Sequence, residues 1–276
     1  MADAPTNEPR TSADKESGDA MRTNRVREIL SQGGVALGTM ITEVRNPSIA
    51  KMLADAGFDF VFIDMEHGSF GMETVADMIL VARLSGLTPL VRVPDGEYHL
   101  IARVMDAGAQ GVMVPRVETR AQVEKIVASM KYPPVGVRGL SASRGYNDFQ
   151  SAPMRPFTEH LNRENLVICQ IERVAAVDDI DGLLSVPGVD VALIGPNDLA
   201  MSLGVNSTED PAVTAAIEKV MAAAAAHSVT SAIHIRDLVQ LKHWMARGMR
   251  LITCSTEIDF MLGAARAAVK ELREAG

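Results

Sequence analysis

The chain has 276 residues, 47% of them hydrophobic and 22% charged, which suits one large α/β barrel or two small domains. A net charge of −8 and a pI near 5.3 argue against nucleic acid as a main partner, and no apolar run of about 18 residues offers a membrane span. The two cysteines, Cys169 and Cys254, lie within apolar runs; they read as buried free thiols in a reducing compartment, the cytoplasm, with no disulfide framework.

Residues 1–21 are polar, lack an apolar signal core and read as a disordered tail, leaving 22–276 as a single domain. An amphipathic segment at 24–30 starts the ordered part. From Val35 onward, short β-rich runs alternate with stretches of helical periodicity. The predicted strands are 35–41, 58–64, 88–93, 111–115, 166–172, 189–195, 229–235 and 251–255. The predicted helices are 48–56, 72–84, 98–107, 119–130, 175–184, 211–226, 237–246 and 257–274, with Gly57 and Gly108 at C-cap positions. About eight strand-plus-helix units is the number that closes a (β/α)8 TIM barrel. The alternative is an open doubly wound sheet, but no Gly-x-Gly-x-x-Gly follows the first strand. The longest irregular stretch, 132–163, carries paired prolines and several glycines; its Arg138 and Arg144 could reach an anionic substrate or pair with surface acids.

The chemistry-bearing residues gather at the predicted strand ends, the rim on which barrel active sites are built. Glu172 ends the fifth strand, and Asp198 follows the sixth within Gly195-Pro196-Asn197-Asp198. Either carboxylate could simply cap a helix. Two of them on neighbouring strand ends suit a hard divalent cation such as Mg2+ or Mn2+, which takes oxygen ligands. Gly195 permits close approach to the backbone and Pro196 stiffens the turn. The second strand ends in Asp64-Met65-Glu66-His67-Gly68. Asp64, three residues before His67, can orient the imidazole as a general base; His67 could instead ligate a metal or be structural. Arg92, at the end of the third strand, requires an anionic partner if it faces inward, either a substrate oxyanion or a neighbouring barrel carboxylate. Gln170 shares a strand face with Glu172 and could meet a substrate oxygen or complete a polar layer. Among the other histidines, His99 and His243 fall on helices, His160 in the long loop and His227 at a helix end; His234, near the end of the seventh strand, is a lesser candidate for the site. Trp244 and the 16 methionines read as packing residues.

The segments AGFDFVFIDMEHG, PLVRVP, DAGAQGVMVPRVET, YPPVGVRG, QIE and GVDVALIGPNDLAMSLG occur in this order from about Val35 to the C-terminus. Together they resemble the HpcH/HpaI aldolases, class II pyruvate aldolases. The resemblance implies a metal-dependent TIM barrel of the phosphoenolpyruvate/pyruvate-binding type. It would reversibly cleave 4-hydroxy-2-oxo acids to pyruvate, or a related 2-oxo acid, and an aldehyde through an enolate. It further implies that Glu172 and Asp198 hold Mg2+ or Mn2+ (Co2+ as an alternative), with water and substrate completing the shell. Arg92 would stabilise the enolate oxygen, His67 paired with Asp64 would act as base, and Gln170 would line the pyruvate pocket. Backbone N–H groups around Gly195, Pro196, Asn197 and Asp198 would bind the carboxylate. The long C-terminal helix would pack in a homo-oligomer, a trimer or hexamer. No lysine falls at a strand end (Lys51, Lys125 and Lys131 are in or beside helices), which disfavours a Schiff-base mechanism. The chain departs from the family pattern at Met40 and Ile41, Asn197, Arg116 and the closing TCSTEID. These differences border the acceptor pocket, and the extra arginine hints at a polar or anionic aldehyde. Competing readings are an oxaloacetate decarboxylase or a macrophomate-synthase-like lyase working through the same enolate, and a non-catalytic barrel that binds a metabolite.

Overall fold

A computed structural model describes residues 21–141, 144–149 and 152–275. Of the expected tail, residues 1–20 lie outside the described residues. The ordered elements run α1 (Arg25–Ser31), β1 (Ala36–Ile41), α2 (Ser48–Asp55), β2 (Phe60–Asp64), α3 (Met72–Leu84), β3 (Thr88–Arg92), α4 (Tyr98–Ala107), β4 (Gly111–Val114), α5 (Arg120–Met130) and α6 (Met154–Glu164). They continue with β5 (Leu166–Ile171), α7 (Val174–Asp178), α8 (Ile180–Leu184), β6 (Val191–Ile194), α9 (Pro196–Leu203), α10 (Pro211–Ala226), β7 (Thr230–Ile235), α11 (Leu238–Ala246), β8 (Leu251–Thr256) and α12 (Glu257–Glu274). The eight strands pair in sequence order, all parallel, and β8 returns to β1, so the sheet closes into a (β/α)8 barrel. No described helix is long and apolar enough to cross a membrane.

Strand alternation divides the core into two layers. Phe60, Phe62, Leu90, Met113, Ile168, Leu193, Ala232 and Leu251 point inward and fill the barrel. Val61, Ile63, Val91, Val112, Val167, Cys169, Ala192 and Ile194 point outward and pack under the helices. At the base, α1 acts as a plug. Its Val26 joins the inner layer, and the Asn24 side chain caps the helix while donating to the carbonyls of Gln110 (2.9 Å) and Glu164 (3.0 Å). At the rim, the buried Glu257 carboxylate accepts the backbone N–H groups of Thr42, Glu43 and Val44 at 2.9, 2.6 and 2.9 Å, tying the start of α12 to the loop after β1.

Several expectations are refined or corrected. The stretch 132–163 is not wholly irregular, because α6 occupies its second half and buries Phe157, His160 and Leu161. That i, i+3, i+4 stripe was obscured by Pro153 and Pro156, which sit where a helix start needs no N–H. The helix expected at 175–184 is two short ones, since Asp179 leaves helical geometry (φ −105°, ψ 33°). Helix α9 begins directly after the sixth strand, with Pro196 in its first turn. Of the two roles open to Arg138, substrate contact or an ion pair, it takes the ion pair. Arg138 is buried beside the end of α4, 2.7 Å from Asp106 and stacked over the rings of Tyr132 (4.7 Å) and Tyr146 (5.4 Å). Arg144 donates to Ser141 Oγ at 2.9 Å. Both cysteines are free, but only Cys169 is buried; Cys254 is partly exposed.

Candidate active site

Continuing the inward alternation one step beyond the apolar plug brings polar side chains to the barrel mouth. After Phe62 comes Asp64, after Leu90 comes Arg92, and after Ile168 come Gln170 and Glu172. After Leu193 comes Gly195, after Ala232 comes His234, and after Leu251 comes Thr253. Asp64 and Arg92 are register partners across β2 and β3. Arg92 therefore grips the Asp64 carboxylate with both arms of its fork, Nε to Oδ1 at 2.7 Å and Nη2 to Oδ2 at 2.6 Å. Asp64 is fully buried and Arg92 is 9% exposed. The remaining arm, Nη1, lies 3.2 Å from Glu66 Oε2. Burial works against the Arg92 charge, but the Asp64 hydrogen bonds and the charges of Asp64, Glu66 and Glu172 outweigh it, and its pKa is raised. Of the two partners open to Arg92 in the sequence, the structure supplies the barrel carboxylate.

Glu172 sits across the mouth, 3% exposed. Its Oε1 accepts the backbone N–H of Arg116 at 2.8 Å, and its Oε2 accepts from Gln170 Nε2. Arg116 holds that N–H in place with a left-handed backbone (φ 55°). A side chain at Gly195 would stand 2.8 Å from Glu172 Oε2 and 3.1 Å from Gln170 Nε2, so the glycine makes room for the carboxylate. Burial pushes the Glu172 pKa up; the charges of Asp198 and Glu66 push the same way, against the hydrogen bonds from Arg116 and Gln170. Asp198 is exposed in the first turn of α9. The first intrahelical bond there is Leu199 N–H to Gly195 C=O at 3.0 Å, so the N–H groups of Asn197 and Asp198 precede the helical ladder. Among the described residues, no three of His, Cys, Asp and Glu come together as a ready-made chelate.

The expected pairing of Asp64 with His67 does not form. Both Asp64 oxygens go to Arg92, and Oδ1 also accepts the Glu66 N–H at 3.0 Å. His67 stands at the edge of the mouth, its side chain 70% exposed and its Nε2 4.0 Å from Glu66 Oε2. The cause is local: a Cβ on Gly68 would collide with the Asp64 carbonyl, so the chain turns back tightly and swings His67 outward. Asp64, Arg92, Gln170, Glu172 and Gly195 are thus brought together, Asp198 joins them through its effect on Glu172, and His67 flanks them.

Sequence reasoning overlooked Glu66, although it lies two residues beyond Asp64, at strand spacing. Glu66 bridges Arg92 and Arg116, the latter Nε at 3.5 Å. It also gave His234 too little weight. The imidazole faces the mouth with Nδ1 buried, and burial, reinforced by the Arg92 and Arg236 charges, lowers its pKa to about 4, so it is neutral at physiological pH.

A family model for HpcH/HpaI aldolase/citrate lyase matches residues 39–257. The 5-keto-4-deoxy-D-glucarate aldolase of Shigella dysenteriae serotype 1 (strain Sd197) is 31% identical over 252 residues, covering 91% of this chain and 96% of that protein. Among solved structures, an HpcH/HpaI aldolase from Desulfitobacterium hafniense DCB-2 superposes with a TM-score of 0.87 at 33% identity, covering 90% of this chain and 96% of the other. A citrate synthase superposes with a TM-score of 0.83 at 29% identity, covering 91% and 98%. The closed barrel, its polar mouth and these matches agree, and the chain belongs to the HpcH/HpaI aldolase/citrate lyase family, as a carbon–carbon lyase of the aldolase type.

Proposed function

We propose that this lyase cleaves a 4-hydroxy-2-oxo acid to pyruvate and an aldehyde, with a divalent cation, Mg2+ or Mn2+, held by Glu172 and Asp198. The observation that carries the reading is the buried Arg92, locked by Asp64 and Glu66 and facing Glu172 in the same mouth. A cation suits the donor set. The Glu172 carboxyl is buried and strained by the Asp198 and Glu66 charges, and two carboxylates leave room for water and substrate, as oxygen-loving divalent ions require. When bound, the cation would supply Lewis-acid polarisation of the 2-oxo acid oxygens.

The chain's own groups account for the remaining steps. The first-turn N–H groups of α9 suit the substrate carboxylate. Gln170 offers its buried, unpartnered Oε1 to the pocket. A base takes the proton from the C4 hydroxyl, the C3–C4 bond breaks, and its electron pair forms the enolate, whose oxygen the preorganised Arg92 stabilises. Protonation at C3 then yields pyruvate. His67, at the edge of the mouth with Glu66 rather than Asp64 as its neighbour, would serve as that base. Among the described residues a Schiff-base route lacks its lysine: Lys131 is buried at the opposite pole, donating to the carbonyls of Asn162 and Asn165 at 2.8 Å each.

Proton exchange at the pyruvate methyl group in deuterated buffer, followed by NMR, tests the reading without any choice of aldehyde. Exchange is expected with added Mg2+ or Mn2+ and not with EDTA. Exchange undiminished by EDTA would remove the cation, and oxaloacetate decarboxylation without aldol turnover would favour a decarboxylase. In the same preparation, His67→Ala should slow aldol turnover about 10²–10⁴-fold while cation affinity stays unchanged; unchanged turnover would move the base elsewhere.

Two further features belong to this proposal. Phe260, Met261, Val269 and Leu272 lie exposed on α12, a face that a second copy of the chain would cover, so light scattering should report an oligomer; a monomer would remove that expectation. The free thiols support a reducing compartment such as the cytoplasm.

A further inference from the structure

We propose that His234 is a specificity-determining residue of the mouth: with Thr253 beside it, its imidazole hydrogen-bonds a hydroxyl group of the substrate. The proposal rests on the lyase reading above and names a substrate feature that reading leaves open.

His234 and Thr253 are register partners across β7 and β8, and both continue the inward alternation of Ala232 and Leu251. His234 Nδ1 and Thr253 Oγ1 are each buried without a hydrogen-bond partner. Buried polar atoms are rarely left so, because each unmade bond costs desolvation that nothing returns. Strand order places β7 across the barrel from β3, and the Arg92 charge acts on the imidazole, so the two groups face one another over the volume where substrate must lie. The other walls already have work. Arg92 and Glu66 line one side, Glu172 and Gln170 another, and α9 begins beyond Gly195.

The chemistry of the pair selects a hydroxyl. A neutral imidazole has one N–H donor and one acceptor nitrogen, and a threonine hydroxyl both gives and takes. A substrate hydroxyl can meet the half-buried imidazole, whereas a methyl group offers it no hydrogen bond; Thr253, fully buried, backs the ring. A carboxylate fits poorly, because Arg236 is engaged with Asp259 at 2.9 Å and Arg92 stands across the mouth. The hydroxyl can belong to the 2-oxo acid fragment or to the aldehyde fragment, and two experimental arms separate these.

In the first arm, proton exchange is compared for 3-hydroxypyruvate and pyruvate. In the second, aldol addition of pyruvate is compared for glycolaldehyde and acetaldehyde. In one arm the wild type should prefer the hydroxylated member in kcat/KM, and His234→Leu should reduce that preference about tenfold, mainly through KM. His234→Gln, which keeps a hydrogen-bonding group, should restore part of it, and Thr253→Val should weaken it in the same arm. A preference unchanged by His234→Leu in both arms, in a preparation that still exchanges pyruvate protons, overturns the proposal. Loss of exchange in the wild type itself would instead sink the lyase reading. Independently of turnover, the His234 ring nitrogen resonances should move on adding 3-hydroxypyruvate or glycolaldehyde more than on adding their deoxy counterparts; equal or absent shifts would also overturn it.

Discussion

Arg92→Ala is expected to damage both activity and folding more than any other single change in the mouth. Its guanidinium satisfies both oxygens of Asp64, a carboxylate with no solvent exposure. Removing one partner of a buried pair leaves the other charge uncompensated, at a cost of about 3–5 kcal/mol in a urea melt. Catalysis should fall about 10²–10³-fold or more, the usual loss when a preorganised group opposite a developing oxyanion is removed. Arg92→Lys retains the charge but not the two-armed fork, so it should recover little of either. The two effects can be separated. Replacing Arg92 by Met and Asp64 by Leu together removes the buried pair, and should restore stability while leaving turnover lost. Stability lost with turnover within a few-fold of wild type would confine Arg92 to a structural role.

Glu172→Gln is the second large effect, and here the expected outcome divides between binding and folding. The amide keeps an oxygen for the Arg116 N–H while removing the charge. Cation affinity, read by calorimetry, should drop at least about 100-fold, and turnover with it. The cation-free fold should not suffer. Burial and the Asp198 and Glu66 charges raise the Glu172 pKa, so its ionised form is disfavoured in the folded protein. Stability from this group therefore falls as pH rises through its folded pKa, and at neutral pH the glutamine variant should melt no lower than the wild type without cation. Adding Mn2+ should raise the melting temperature of the wild type and not that of the variant. In the wild type, protons should begin to displace the cation at a higher pH than an ordinary glutamate would allow. A variant that keeps wild-type cation affinity would remove Glu172 from the cation site.

Much of this site is legible in the sequence, because strand geometry is a local rule. Period-two alternation in 60–64, 88–92, 166–172, 191–195 and 230–235 assigns facing one residue at a time, and a polar residue or glycine after an apolar inward run falls at the mouth. Asp64, Arg92, Gln170, Glu172 and Gly195 are found there for that reason. The same rule, carried two residues past Asp64, also finds Glu66. The rule also turns His234 inward, but not His67, which belongs to a turn, where facing follows from backbone closure over Gly68.

The sequence by itself determined the eight strands, their inward faces, and the polar residues that end them, since these depend on spacing within one segment. Only the tertiary structure decided which charges meet. That Arg92 grips Asp64, that Arg116 lends its N–H to Glu172, and that His234 and Thr253 stand together without partners all depend on register between strands far apart in the chain. Register is set by how the whole apolar plug packs when the barrel closes, and no single stretch of sequence carries that information.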